Sequence, residues 1–323
     1  MFRFAVITTF LGQSKDRFHI YNKEASLEQK FQMAAKLPGY DGVEIVYPYE
    51  VHDPAETKRL LDKYKLSVSA VNVNVKAEPE FIDGGLTSED PGIRAKAVRF
   101  VKEGKDFAAA IGAPRVTCCP LGDGFEFVFQ KDYGALWRRL CDTLAEAGDH
   151  LKDTVPLFIE YKPKETRRVT VLPRAADVLL LLHELKVASM GVTVDYGHSI
   201  YAGEHAPMIL CQIKDSPFDY YVHINDNDKT WDWDYFCGSH TLLDYIEFVY
   251  YLWKHGYDKH LTSDTHPTRW DMSEMFAINS RLTSRIGKLI DSIGAEEFEK
   301  VISNPDYMAT WRFVEERLLR LAD

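Results

Sequence analysis

No stretch of this chain approaches the ~20 consecutive apolar residues that a membrane-spanning helix needs. Its longest leucine-rich run, residues 178–182, is five residues long, so no membrane partner is expected. Cysteine is scarce: Cys118, Cys119, Cys141, Cys211 and Cys237 are odd in number and form no CxxC pair. That argues against a disulfide framework or a thiolate zinc site, and for a reducing, cytoplasmic setting. The opening MFRFAVITTF turns polar too soon for a signal peptide and predicts a first strand instead. Basic residues are in deficit, 39 Lys and Arg against 49 Asp and Glu, for a formal charge of −10. Phosphate neutralisation needs a basic surface, so no nucleic-acid partner is expected. Linkers, low-complexity tracts and short repeats are absent, as are the GxGxxG and GxxxxGK[ST] loops that cradle phosphates.

What is present is an ordinary globular composition, 46% apolar and 27% charged over 323 residues, enough to bury a sizeable core. Apolar stretches read as strands at residues 2–10, 43–46, 67–73, 115–119, 156–160, 191–195, 220–223 and 260–264. Amphipathic segments lie between them. Leu136, Leu140, Leu144, Ala147 and Leu151 fall at helical spacing, as do Leu242, Leu243, Ile246, Val249, Tyr250 and Trp253. Asp53-Pro54 and Ser88-Glu89-Asp90-Pro91 read as helix starts. Eight strands with intervening helices predict an α/β fold, the (β/α)8 TIM barrel, at its natural length. An open doubly wound sheet is the competing architecture. Residues 1–293 are assigned to the barrel. Residues 294–323 are assigned to a C-terminal helical extension, packed on the barrel or on a second subunit.

Each of the last four strands closes on a potential metal ligand: LFIE on Glu160, GVTVD on Asp195, YYVH on His223 and HLTSD on Asp264. Barrel strands converge at their C-terminal ends, where activity resides. Three carboxylates and one imidazole there suit Mn²⁺, Mg²⁺ or Co²⁺ better than a structural zinc. Without a cation, these groups would repel one another and lose solvation. Taken singly, each acid reads equally as a helix cap or a loop ion-pair partner. His198, in DYGH, and Asp232 and Asp234, in WDWD, could join Asp195 around a second ion. The alternatives are a capping histidine and a solvated acidic loop. Lys162, two residues beyond Glu160 in IEYKPKE, points to the same side of an extended segment. It can polarise a carbonyl or hold a sugar oxygen, or else it is a surface lysine beside a proline.

Together these motifs resemble the xylose isomerase-like TIM-barrel superfamily. IEYKPKE is similar to that family's fifth-strand motif, GVTVDYGHSIYAGE to the sixth, HINDND…WDWDYFCGS to the seventh and TSDTHPTRWD to the eighth. PLGDGFEFVFQKDY resembles the fourth-strand loop of a sugar-isomerase subgroup, with Cys119 where an aromatic usually precedes the proline. The resemblance implies interconversion of a free aldose and ketose by C2-to-C1 hydrogen transfer. Glu160, Asp195, His223 and Asp264 would hold the first ion, and Asp195, His198, Asp232 and Asp234 the second. Lys162, Glu160 and Asp264 would serve catalysis. The rival is a ketose 3-epimerase using one ion, with Glu160 and Asp264 shuttling the proton.

His52, just past the second strand, is the candidate ring-opening or relay base, with His19 the other early histidine; His52 equally suits a helix cap. Asn72 and Asn74 are candidate hydroxyl contacts or turn residues. Phe127, Trp231 and Phe236 are candidate sugar-stacking aromatics or core residues, and Arg269 a further substrate contact. A homo-oligomer, dimer or tetramer, is expected from the resemblance and the C-terminal tail. An abasic-site nuclease, a sugar-acid lyase or decarboxylase, and a non-catalytic sugar-binding scaffold are the other classes. The charge disfavours the nuclease and the density of ligating residues the scaffold.

Overall fold

The computed structural model describes residues 2–165, 167–187 and 189–321. Eight parallel strands close into a barrel: β1 (Arg3–Ile7), β2 (Gly42–Tyr47), β3 (Ser67–Val73), β4 (Val116–Cys118), β5 (Leu157–Glu160), β6 (Met190–Asp195), β7 (Asp219–Ile224) and β8 (His260–Ser263). Each pairs with its neighbour in sequence, and β8 closes on β1. The helices around it are α1 (Leu27–Ala34), α2 (Pro54–Tyr64), α3 (Pro91–Ile111), α4 (Tyr133–Asp149), α5 (Ala175–Leu185), α6 (Tyr196–Tyr201), α7 (Ala206–Lys214), α8 (Leu242–Lys254) and α9 (Met272–Ile293). The (β/α)8 architecture anticipated from alternating strand and helix patterns is the one observed.

Local chemistry explains the boundaries. The Asp53 and Asp90 side chains accept from backbone N–H groups in the first turns of α2 and α3, each followed by proline. The first strand is shorter than residues 2–10. Thr8 Oγ1 donates to the Glu44 carbonyl at 3.2 Å and to the Glu50 carboxylate, and residues Thr8–Leu11 coil into a 3-10 turn off the sheet. Leu151 lies beyond the end of α4, in a left-handed conformation at φ +47°. No helix among the described residues is long and apolar enough to cross a membrane.

Inside the barrel, Ala70, Phe158 and Tyr221 form a small separate cluster, with the two rings edge-to-face at 6.5 Å. Phe158 and Tyr221 lie two positions before Glu160 and His223, so they share a face with them and fill the lumen beneath. Beyond Gly294, at φ +85°, come α10 (Ala295–Ile302), α11 (Tyr307–Phe313) and a π turn at Val314–Leu318. Phe298 of α10 stacks on Tyr250 of α8 at 4.4 Å and meets Phe313 edge-on at 5.2 Å.

Candidate metal centre

The C-terminal ends of β5 to β8 bring Glu160, Asp195, His223 and Asp264 together, with one potential donor atom from each lying within 4.8 Å of the others. The first three are buried, and Asp264 is 16% exposed. Among the described residues this is the one such group. His223 Nδ1 faces Asp264 Oδ2 at 3.4 Å and Glu160 Oε1 at 3.6 Å, yet it has no hydrogen-bond partner. His198 Nδ1 is likewise unpartnered, 3.1 Å from Glu160 Oε1 without hydrogen-bonding geometry. Buried polar atoms are rarely left unpaired. Two imidazole nitrogens orphaned beside clustered carboxylates fit a divalent cation as the missing partner.

Asp195 acts in two ways. Its Oδ1 accepts from the His198 backbone N–H at 2.8 Å, capping α6, so the helix-cap reading holds locally. Asn225 Nδ2 donates to both of its oxygens, at 3.2 and 3.0 Å. Asn225 Oδ1 also accepts from Gly197 N at 2.7 Å. A side chain at position 197 would place its Cβ 2.3 Å from that Oδ1, so this close approach requires glycine. The DYGH turn and the HIND strand end are thereby locked to each other.

Of the remaining expected metal residues, His198 and Asp232 pair with each other. His198 Nε2 lies 3.0 Å from Asp232 Oδ2. Lys162 Nζ lies 2.6 Å from the same oxygen and also contacts Glu165. Asp234 lines the same cavity, its backbone left-handed at φ +51°. Lys162 is therefore no surface lysine but a buried ammonium at the mouth.

Burial penalises every charge here, and neighbours decide the outcome. Burial pushes Asp195 up to about 7, reinforced by Asp264, Asp232 and Glu160 and opposed by His198. Glu160 is also pushed up by burial, but His223 and His198 overcome this and hold it below the usual carboxylate range. Lys162 and His198 do the same for Asp232. Asp234, half-buried, rises well above its usual value through desolvation and the neighbouring Asp232 and Asp264. Burial disfavours the Lys162 ammonium, yet Asp232, Glu165 and Asp234 raise its pKa well above the ordinary value.

A cavity of about 230 Å³ opens over these groups. Its lining includes Glu160, Lys162, His198, Asp232, Asp234 and Asp264, together with Phe10, Asn72, Asn74, Lys76, Cys119 and Leu121. Asn74 Oδ1 also accepts from the backbone N–H of Lys76 and Ala77, at 2.9 and 3.0 Å, as a turn residue does.

Other expected substrate residues stand elsewhere. His52 is exposed beside the α2 cap, which Asp53 supplies, and does not line the cavity. Phe127 is 71% exposed on a loop tip, Trp231 packs edge-on against Tyr201, and Arg269 is exposed. None of the three lines this cavity. Phe236 packs edge-on against Trp270, and His19 lies in the exposed first loop. A rim residue's direction is set by loop conformation, which side-chain type does not encode.

Sequence reasoning did not single out Glu44, which is fully buried on β2 with its Oε2 3.0 Å from His223 Nε2. An isolated acid in the apolar strand GVEIVY was the available signal. Its partner is 179 positions away, so spacing could not pair them.

The family profile of the xylose isomerase-like TIM barrel matches residues 31–279. The xylose isomerase of Thermus thermophilus is 27% identical over 222 residues, covering 67% of this chain and 57% of that protein. The chain thus aligns with little more than half the length of that curated relative. Among solved structures, a D-tagatose 3-epimerase-like protein superposes with a TM-score of 0.71 at 17% identity, covering 91% of this chain and 100% of the other. An L-ribulose 3-epimerase does so with a TM-score of 0.71 at 18% identity, covering 95% and 99%. The closed barrel and the profile match over residues 31–279 place the chain in the xylose isomerase-like TIM-barrel family.

Proposed function

We propose that this chain is a divalent-metal-dependent isomerase that interconverts an aldose and a ketose of a free monosaccharide. The observation that carries the reading is the meeting of Glu160, Asp195, His223 and Asp264 beside the buried Lys162 ammonium, under a cavity sized for one small molecule. These four residues would hold Mn²⁺, Mg²⁺ or Co²⁺. Asp195, His198, Asp232 and Asp234 would hold a second ion. Bound metal supplies a Lewis acid that polarises adjacent sugar oxygens. Lys162, steadied by Asp232 and Glu165, donates a hydrogen bond to the oxygen that gains charge. Phe10 and Leu121 add apolar surface to the cavity lining. The hydrogen on C2 moves to C1, the hydroxyl on C2 gives up its proton and the oxygen on C1 takes one up, so the carbonyl passes from C1 to C2.

The second reading is a ketose 3-epimerase, in which Glu160 and Asp264 remove and return the C3 proton on opposite faces. It is favoured by the single donor set found among the described residues and by the pairing of Asp232 with Lys162 and His198. The 3-epimerase names of the two structural neighbours favour it too.

One experiment separates them. The protein is stripped with EDTA, reloaded with Mn²⁺ and incubated with a panel of free pentoses and hexoses, followed by ¹³C NMR. Carbonyl migration between C1 and C2 supports the isomerase. Inversion at C3 with the carbonyl in place supports the epimerase. No turnover of any sugar by metal-loaded protein rejects both.

A further inference from the structure

We infer that Glu44 is a positioning residue for this centre, fixing which nitrogen of His223 faces the ion and which end of the Asn72 amide faces the substrate. The inference rests on the metal-dependent reading above and adds a residue that reading does not use.

Glu44 lies on β2, across the barrel from His223 on β7, and is fully buried. Its carboxylate is saturated. Oε2 accepts from His223 Nε2 at 3.0 Å and from the Tyr221 hydroxyl at 3.0 Å. Oε1 accepts from Asn72 Nδ2 at 3.0 Å and from Thr117 Oγ1 at 3.0 Å. An ionised carboxylate offers about four acceptor positions and no donor, so each partner must present a hydrogen.

Two assignments follow. His223 carries its hydrogen on Nε2, which leaves the Nδ1 lone pair of the neutral ring for a metal. Nδ1 is the unpartnered atom facing Glu160 and Asp264. Asn72 turns its NH₂ group to Glu44 and so keeps its carbonyl oxygen for the cavity it lines. An acceptor at that place takes the proton of a sugar hydroxyl and gives nothing to an ether or carbonyl oxygen. One buried acid thus orients a metal ligand and sets the hydrogen-bond polarity of a substrate contact. If Glu44 served only to fill the lumen, an apolar residue would do so at less cost, because burying a carboxylate forfeits its hydration.

The test uses the full chain and Mn²⁺ as probe. Affinity is measured by titration calorimetry for the wild type, Glu44→Gln, Glu44→Ala and Thr117→Val, each checked for cooperative unfolding. Glu44→Ala is expected to weaken Mn²⁺ binding about 100-fold, and Glu44→Gln about 10-fold. Thr117→Val removes one partner of Glu44 but spares the His223 bond, and should stay within about threefold of wild type. In Mg²⁺-loaded protein, the His223 Nε2–H resonance should be protected from exchange in the wild type and Thr117→Val, and unprotected in Glu44→Ala, which has no acceptor at that place. Should Glu44→Ala not fold, Glu44→Gln carries the comparison. Wild-type affinity in a folded Glu44 variant overturns the inference, as does an equal loss in Thr117→Val, which would mark a packing role. If the wild type itself binds no Mn²⁺, the metal reading and this inference fall together.

Discussion

Lys105 is buried between α3 and α4, with Nζ donating to the carbonyls of Gly148 at 2.9 Å and Ala147 at 3.4 Å. Burial lowers its pKa from the usual 10.5 to about 8. Between those values the unfolded chain binds more protons at this site than the folded one. The contribution of Lys105 to stability therefore rises as pH increases through that window. Urea unfolding of the wild type and Lys105→Met from pH 7 to 10 should show the difference moving in favour of the wild type. A pH-independent difference would contradict the assignment. At the mouth, Asp232 tethers Lys162 and His198, while the four-residue donor set does not include it. Asp232→Asn is accordingly expected to lower kcat about 100-fold or more and to leave the first Mn²⁺ affinity within about threefold, read by steady-state kinetics and calorimetry. The candidate donors were legible in the sequence because a barrel gathers the C-terminal ends of its strands at one mouth. Glu44 and the outward-facing His52, Phe127, Trp231 and Arg269 were not, because long-range pairing and loop direction leave no periodic trace.

At the scale of elements, capping chemistry explains why helix starts were readable. Asp-Pro at 53–54 and 90–91 gives a side-chain acceptor followed by a residue already set for the first turn. Strand ends were less readable where a side chain draws the backbone away, as Thr8 does through Glu44 and Glu50. In the C-terminal helices, Phe298 of α10 stacks on Tyr250 of α8 and meets Phe313 of α11. Phe298→Ala removes a nearly buried ring and should cost about 3 kcal/mol, concentrated in α10 and α11. Hydrogen exchange should show those helices deprotected while β1 to β8 keep their protection. Uniform loss across the barrel would mean that the extension is integral to the core rather than docked on it.

For the whole molecule, the metal reading links binding to folding. The orphaned imidazole nitrogens and crowded carboxylates of the folded mouth gain a partner that the unfolded chain does not assemble. Mn²⁺ at about 100 times its Kd should add about 2.7 kcal/mol, raising Tm by about 4 °C for a chain of this size. Differential scanning calorimetry should show that shift in the wild type and its loss in Glu160→Gln; equal shifts in both would place the ion elsewhere. Carboxylates that would repel one another become an asset once a divalent cation sits among them. The most direct measurement is anomalous diffraction at a wavelength where manganese scatters strongly, from crystals grown with Mn²⁺. An anomalous peak bounded by Glu160, Asp195, His223 and Asp264 is expected. A cavity with no such peak, or manganese found only at other sites, would contradict the account at its base.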